Sequence, residues 1–177
     1  MTEKNDTSML TEKYIFRNIR QEEIAQTSEI EKICFPPNEA CSYEHMEDRV
    51  KKAPELFLVA EDRATGRIAG FLNGLATDRE HLTDDFFTDA EMHDPKGKNI
   101  MLLGLDVLPK YQHQGLAREL VRCYKEREKV NGREKLILTC LPDKVEMYQK
   151  FGFKDHGIGD SVWGGEAWHE MSMELRG

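Results

Sequence analysis

The segment LDVLPKYQHQGLA, residues 105–117, determines how the rest of the chain is interpreted. An apolar run leads into a short polar turn, and an amphipathic helix begins directly after it at Gly115. The first turn of a helix carries backbone N–H groups without partners and a partial positive charge, so it attracts anions. Gly115 and Ala117 leave these amides open to close approach, because neither has a bulky side chain. The segment therefore predicts a strand–turn–helix unit that binds phosphate.

Neither of the two common nucleotide-binding loops is present. No G-x-x-x-x-G-K-[ST] string occurs, and Gly115 lacks the second glycine that the dinucleotide pattern G-x-G-x-x-G requires two residues later. The pattern is instead Q-x-x-G-x-A, formed by Gln112, Gly115 and Ala117. An ordinary helix start with small residues for packing gives the same string, so the surrounding sequence has to decide.

Size and composition describe an ordinary soluble domain. The chain has 177 residues, 39% hydrophobic and 33% charged, which makes one domain with a substantial core the default. Its formal net charge of -8 argues against nucleic acid as a partner, because phosphate backbones attract basic surfaces. An acidic surface suits a cationic small substrate, although it more often serves solubility.

The first residues and the cysteines support further expectations. Residues 1–12 are predicted to form a disordered polar tail ahead of one domain over 13–177. No signal-peptide core and no apolar run of membrane-spanning length occurs, so a cytoplasmic protein without a membrane partner is expected. The four cysteines lack the spacing of a metal site, so we expect neither metal binding nor a disulfide.

Hydrophobic periodicity divides the chain into alternating strands and helices. Ser42 is expected to cap a helix, Gly66 to lie in a hairpin turn, and Gly132 to end a helix. Strands are predicted over 14–19, 56–61, 68–76, 99–107, 136–139, a short stretch from 154, and 167–175, and helices over 21–34, 43–52, 115–130 and 144–151. That order predicts a mixed α/β fold whose central sheet has about seven strands.

Two motifs together resemble those of a known family. The Q-x-x-G-x-A pattern at 112–117, preceded by VLPKY at 107–111, is similar to motif A of the GCN5-related N-acetyltransferase (GNAT) superfamily. YQKFGF at 148–153 is similar to a block that follows motif A in that family. The resemblance extends over 14–175 and implies the GNAT fold, a single α+β domain. Its twisted, mostly antiparallel sheet of about seven strands is flanked by about four helices.

The resemblance also implies that motif A grips the pyrophosphate of the cosubstrate acetyl-CoA. The implied cofactor-binding residues are Leu105, Asp106, Val107, Gln112, His113, Gln114, Gly115, Leu116, Ala117 and Arg118. His113 lies within the turn itself, so contact with phosphate is its expected role.

Within the superfamily the chain most resembles the arylalkylamine N-acetyltransferase branch. The similarity rests on CFPPNEA at 34–40, the YQKFGF block and WHEM at 168–171. This branch implies direct transfer of an acetyl group from acetyl-CoA to the primary amine of a small molecule in a ternary complex. Two alternatives stay open: an acetyltransferase that acts on proteins or peptides, and a catalytically weak CoA-binding regulatory module. A monomer and a homodimer are both compatible with the sequence.

The reaction requires a neutral amine and a stabilised thioester oxygen. An alkylammonium has a pKa of about 10.4, so its deprotonation near pH 7 costs about 4–5 kcal/mol, which a general base lowers. The resemblance implies that the backbone N–H of Val107, beside a bulge that splays its strand from the next, stabilises the oxygen. It also implies that Tyr148 protonates the departing thiolate. Packing in the core is the competing role for Tyr148.

The general base is where the chain departs from the family pattern. Met101 and Leu103 stand where relatives carry two histidines or, at the second position, a glutamate. Glu39 is the leading replacement, with an ordinary surface glutamate as the equal alternative. His169, expected to face the acceptor cleft on the last strand, is second, and a structural role competes with it. Asp106 interrupts an apolar strand, but its position does not match a base of the family, so capping or anchoring of neighbouring backbone is its expected role.

The acceptor site has the weakest signal in the sequence. An apolar wall for the amine is predicted from Phe35, Pro36, Tyr43, Phe71 and Trp163. The acidic residues within 84–91 can attract a cation, but a solvated loop is the favoured interpretation. Neither pattern specifies which amine is bound.

Overall fold

Seven strands form one sheet in the computed structural model, which describes residues 9–176. They are β1 (Tyr14–Asn18), β2 (Phe57–Asp62), β3 (Ile68–Thr77), β4 (Asn99–Val107), β5 (Lys135–Cys140), β6 (Lys154–Ile158) and β7 (His169–Glu174). Their order across the sheet is β1-β2-β3-β4-β5-β7-β6, and all neighbours are antiparallel except β4 and β5. The prediction of a seven-stranded, mostly antiparallel sheet is confirmed.

Four helices of six or more residues flank this sheet in the described residues, as predicted. The helices are α1 (Ile24–Cys34), α2 (Tyr43–Lys52), the single turn α3 (Asp85–Thr88), α4 (Leu116–Val130) and α5 (Val145–Lys150). The Ser42 hydroxyl accepts a hydrogen bond from the His45 amide at 3.2 Å and so caps α2. Gly132 takes a positive φ of 84° just beyond α4, which ends that helix as expected.

The two faces of β3 bury different clusters, because successive side chains of a strand point to opposite faces. Phe71 packs in a cluster with Ile30 of α1 and with Met46 of α2. The neighbouring Leu72 belongs to a larger cluster that includes the apolar face of α4. Every residue of β3 is buried. The sheet is therefore a middle layer, with α1 and α2 on one side and α4 on the other.

Strands β4 and β5 separate after a short parallel contact. They pair only where residues 99–101 meet residues 135–137. Beyond this contact β4 continues to pair with β3, and β5 with β7. The carboxyl-terminal halves of the two strands therefore diverge and leave a wedge between them. Backbone groups along such an unpaired edge can bond an extended ligand.

A β-bulge lies in the middle of β4. The consecutive residues Asn73 and Gly74 of β3 pair with Gly104 and Leu102, which leaves Leu103 as the extra residue. The bulge bends β4 and increases its local twist. This bulge is predicted beside Val107, at the end of β4, and that position is wrong. Gly74 helps to explain the observed position, because a Cβ added there would lie only 2.7 Å from the backbone oxygen of Met101 in β4.

The folded domain begins before residue 13. Of the predicted tail, residues 1–8 lie outside the described residues, whereas residues 9–13 are helical. Leu10 is buried there and belongs to the same cluster as the apolar face of α4. In the part of the chain that the structure describes, no helix has the length and apolar character needed to cross a membrane.

Candidate active site

A cleft of about 650 Å³ opens where β4 and β5 diverge. One wall consists of the second half of β4 and the start of α4, and the other consists of the end of β5 together with α5. The end of α1, the loop after it, α3 and the connection between β6 and β7 close the far end. This volume accommodates a drug-sized molecule, or a small acceptor together with the arm of a larger ligand.

The turn before α4 presents backbone amides to this cleft. His113 and Gly115 both adopt a positive φ, 63° and 82°, so successive amides curve into a concave nest. Among the described residues no side chain caps α4, so the amides of Leu116 and Ala117 at its start have no capping partner there. An added Cβ at Gly115 would meet nothing within 4 Å, so the approach is open. Arg118 lines the cleft one turn along, which adds positive charge to an anion-binding geometry.

Two tyrosines hold this turn against the sheet. The Tyr111 hydroxyl donates to Asp62 Oδ2 at 2.7 Å, and the Tyr14 hydroxyl donates to Gln114 Oε1 at 2.9 Å. Lys13 Nζ donates to the same amide oxygen of Gln114. Gln114, predicted to bind the cofactor, thus directs its side chain toward β1 instead of the cleft, because two donors satisfy it there.

The end of β4 turns backbone polar groups toward the wedge. Leu108 donates its amide to Ala69 O at 3.0 Å, in the direction of β3. Because backbone groups alternate in direction along a strand, Val107 and Leu105 direct theirs the opposite way, into the gap beside β5. Gln112 supports this direction, since its Nε2 donates to Val107 O at 3.1 Å. The edge of β4 can therefore hold the amides of an extended ligand.

Tyr148 of α5 lines the opposite wall of the cleft. Its ring packs edge-to-face against Phe151 and Phe153, with centroid distances of 6.0 and 5.7 Å. Burial, followed by the nearby groups of Cys140 and Asp106, raises the pKa of Tyr148 well above its ordinary value. The hydroxyl therefore keeps its proton at neutral pH and can donate it. Packing and proton donation are both compatible with this placement.

Aromatic side chains surround the far end of the cleft, which we call the aromatic lobe and which is lined by Phe35, Phe87, Trp163 and Trp168. Trp163 stacks on Phe87 with ring centroids 4.9 Å apart. The Trp163 Nε1 donates to Glu39 O, and the Trp168 Nε1 donates to Trp163 O, both at 2.8 Å. Three segments distant in sequence therefore meet around one indole ring.

The predicted acceptor wall is partly correct. Phe35, Pro36 and Trp163 line the cleft. Tyr43 is instead exposed at the first turn of α2, and Phe71 is fully buried. The position of Phe71 follows from the alternation of β3, which directs its ring into the core beneath α1 and α2.

The two predicted bases have different surroundings. Glu39 is half-buried at the rim of the aromatic lobe, and burial, followed by the charges of Glu166 and Asp143, raises the pKa of its carboxyl. His169 does not line the cleft. Its Nδ1 lies 3.0 Å from Asp155 Oδ1 because its side chain turns toward the outer strand β6. Glu39 remains a candidate base, and the prediction that His169 faces the cleft is wrong.

Eight of the ten residues predicted to bind the cofactor line the cleft, and the exceptions are Gln114 and Asp106. Asp106 is fully buried, and its carboxyl contacts that of Glu31 in α1. Sequence reasoning missed Glu31, Arg49 and Lys144, which all line the cleft. In the sequence, Glu31 and Arg49 look like ordinary polar residues of two charged helices. The one feature that indicates a buried polar cluster here is Asp106, an acidic residue within the apolar strand β4.

Comparison with known proteins identifies a matching family. Residues 24–153 match the model of the acetyltransferase (GNAT) family. A protein of Bacillus subtilis (strain 168) described as probable hydrolase YhcX is 27% identical over 158 residues. The match covers 85% of this chain and 30% of that protein, so the chain spans less than a third of the relative's length.

Solved structures share the architecture. The loading GNATL domain of CurA from Lyngbya majuscula has a TM-score of 0.77 and 17% identity, over 92% of this chain and 98% of that one. The GNAT family N-acetyltransferase YhbS from Escherichia coli, in complex with CoA, has a TM-score of 0.62 and 21% identity, over 93% of this chain and 82% of that one. At these identities the likeness concerns the fold alone.

Proposed function

Because the chain belongs to the acetyltransferase (GNAT) family, we propose that it transfers the acetyl group of acetyl-CoA directly to the primary amine of a small molecule. One observation carries this proposal. A single cleft connects the anion-binding turn, the unpaired edge of β4 and the aromatic lobe. The thioester carrier and the amine can thus enter from opposite ends and meet in a ternary complex beside Tyr148.

The anion-binding turn is the proposed seat of the pyrophosphate of acetyl-CoA. The amides around His113 and Gly115 supply hydrogen bonds, and the amino-terminal end of α4 supplies partial positive charge. Arg118 and Lys144 also line the cleft, and their cationic side chains suit the phosphates. The residues present therefore fit a phosphorylated carrier.

The edge of β4 is the proposed seat of the pantetheine arm and the thioester. The N–H of Leu105 points into the wedge one residue beyond Gly104, next to the bulge, where it can bond the thioester oxygen as negative charge develops. Tyr148 on the opposite wall can protonate the departing thiolate. We therefore assign the oxyanion contact to Leu105 and a pantetheine contact to Val107.

The aromatic lobe is the proposed acceptor site. Phe35, Phe87 and Trp163 offer flat apolar surface of the kind that an arylalkyl side chain buries favourably. Glu39 at the rim carries a carboxyl that suits a cationic substrate. These features support an arylalkylamine or a similar amine as the acceptor.

Two measurements test the proposal in sequence. Titration calorimetry with acetyl-CoA is expected to show saturable binding. A thiol-release assay, with mass spectrometry of the product, is then run with arylalkylamines, polyamines and peptides, and we expect N-acetylation of arylalkylamines. Acetylation of peptides alone would reassign the acceptor, binding without any turnover would favour a regulatory module, and absence of binding would overturn the proposal.

A further inference from the structure

We propose that Glu31 and Asp106 form a carboxyl pair that shares one proton, and that Glu31 of this pair accepts the proton of the substrate ammonium. This inference deepens the proposed amine acetylation and rests on it. It assigns the general base to a residue outside the strand positions 101 and 103, where the sequence carries only apolar side chains.

The two carboxyls meet beside Gly104. An added Cβ at that glycine would lie 3.2 Å from Asp106 Oδ1 and 3.6 Å from Glu31 Oε1, so both oxygens border the same small space. Asp106 is fully buried and Glu31 is 4% exposed. The absence of a side chain at Gly104 thus leaves room for two facing carboxyls under the floor of the cleft.

The shortage of hydrogen-bond donors around the pair indicates a proton between the two carboxyls. The Cys41 amide donates to Glu31 Oε2 at 3.0 Å. Among the described residues, no donor reaches Glu31 Oε1 or either oxygen of Asp106. Two buried carboxylates in contact, with no donor to three of their four oxygens, would repel each other strongly, so one shared proton is the stable arrangement.

The charges around the pair favour a single proton on it. Burial, followed by the charge of Glu31, raises the pKa of Asp106 well above its ordinary value. Burial also raises the pKa of the Cys34 thiol to about 11 and that of the Cys41 thiol to about 12, so both stay neutral near pH 7. Arg49, 3% exposed, also lines the cleft, and its guanidinium donates to Asn73 Oδ1 and Phe87 O.

The position of Glu31 relative to the thioester supports proton transfer. Glu31 lines the cleft, whereas Asp106 lies behind it. Gly104, which borders Glu31 Oε1, directly precedes Leu105, whose N–H is the proposed contact of the thioester oxygen. An amine placed to attack that thioester therefore lies on the same side as Glu31.

The proton step balances without a co-reactant. The ammonium N–H bond breaks, its proton binds the free lone pair of the Glu31 carboxylate, and the neutral amine keeps the electron pair that attacks the thioester. Asp106 retains the shared proton throughout. The pair changes from one negative charge to none, and it returns its extra proton to water after the product leaves.

The test compares Glu31→Gln with the unaltered chain on two amines of similar shape and different basicity. Phenylethylamine is an ammonium near pH 7, whereas its β,β-difluoro analogue is largely neutral there. We expect Glu31→Gln to lower kcat/KM for phenylethylamine by about 100-fold near pH 7, with the deficit closing at high pH as free amine accumulates. The analogue should react almost equally with both enzymes, since it needs no base.

The matched control is Glu128→Gln, which neutralises an equally buried glutamate at the far end of α4. Glu128 is paired with Arg133, so its loss is expected to affect stability and not the pH profile of activity. Glu39→Gln tests the competing base in the same assay. If Glu31→Gln keeps the pH profile of the unaltered enzyme on phenylethylamine, Glu31 is not the base.

A spectroscopic measurement distinguishes failure of this inference from failure of the proposed function. The infrared C=O band of a protonated carboxyl is expected near neutral pH in the unaltered protein and in Glu128→Gln, and it should disappear in Asp106→Asn. This readout requires no substrate. Absence of the band in the unaltered protein contradicts the shared proton, whereas its presence in a protein that acetylates no amine contradicts only the proposed function.

Discussion

The indole nitrogen of Trp163 donates a hydrogen bond to the backbone oxygen of Glu39 at 2.8 Å. This contact joins the connection between β6 and β7 to the loop between α1 and α2. A second contact strengthens the junction, because the Asn38 side chain donates to Gly164 O at 3.1 Å. Gly164 permits this approach through its positive φ of 64°, and an added Cβ would lie 2.6 Å from Asn38 O. The aromatic lobe is therefore assembled from loops that position one another.

Replacement of Trp163 by phenylalanine is expected to weaken acceptor binding selectively. Phenylalanine retains an aromatic surface against Phe87 but removes the hydrogen bond to Glu39, which contributes about 1 kcal/mol. The KM for an arylalkylamine should rise about five-fold, and the dissociation constant of acetyl-CoA should not change. Steady-state kinetics and calorimetry measure the two quantities. An equal loss of acetyl-CoA affinity would show that the aromatic lobe is not a separate acceptor site.

The Gly115→Ala variant should weaken acetyl-CoA binding at least ten-fold. Gly115 has a φ of 82°, where alanine is strained by about 1–2 kcal/mol, and the strain reorients the amides that bind phosphate. Gly132→Ala is the matched control, since its φ of 84° and open surroundings are nearly identical but it lies beyond the far end of α4.

Both glycine variants are expected to lose similar stability in chemical denaturation. Only Gly115→Ala should lose affinity in calorimetry with acetyl-CoA. Equal affinities in the two variants would place the phosphates away from this turn.

Tyr148→Phe is expected to lower kcat by about 100-fold while acetyl-CoA affinity stays within a factor of two. Phenylalanine keeps the edge-to-face packing against Phe151 and Phe153 and removes only the hydroxyl. Tyr124→Phe is the control, because its hydroxyl donates to Leu56 O at 3.0 Å in the core. That variant should lose about 1–2 kcal/mol of unfolding free energy and keep its kcat. A Tyr148→Phe enzyme with unchanged kcat would leave Tyr148 with a packing role alone.

The sequence predicted the features that short-range patterns encode. The apolar run of β4, the turn after it and the amphipathic face of α4 are contiguous, so periodicity and glycine placement were sufficient to locate the anion-binding turn. The cap at Ser42 and the end of α4 at Gly132 were likewise found, since a helix end depends on one or two neighbouring residues.

The parts that the sequence did not reveal depend on contacts between distant segments. The proposed role of Glu31 as a base depends on Asp106, which lies 75 residues later in the sequence. The alternation of side chains along β4 places Asp106 beneath α1 and against Glu31. The prediction for His169 fails because its side chain bonds Asp155 on the neighbouring strand, and no local pattern in the sequence indicates the register between these two strands. The position of the bulge at Leu103 has the same origin, since it depends on the register between β3 and β4, and a glycine in one strand does not by itself specify that register.

The hydrogen bond from Tyr111 to Asp62 should make the stability of the phosphate-binding turn depend on pH. This bond keeps the pKa of Asp62 below its ordinary value, and the Ala64 amide adds to the effect. A carboxyl whose pKa is lower in the folded state stabilises the fold above its unfolded pKa of about 3.9, and this stabilisation is lost as pH falls through the folded pKa. We expect Tyr111→Phe to lower the midpoint of thermal unfolding by about 3 °C near pH 7, as for the loss of one hydrogen bond in a domain of this size. The difference between the two proteins should narrow below about pH 4, and calorimetric melting across that range measures it. A difference that stays constant down to low pH would mean that the tyrosine does not stabilise the ionised carboxylate.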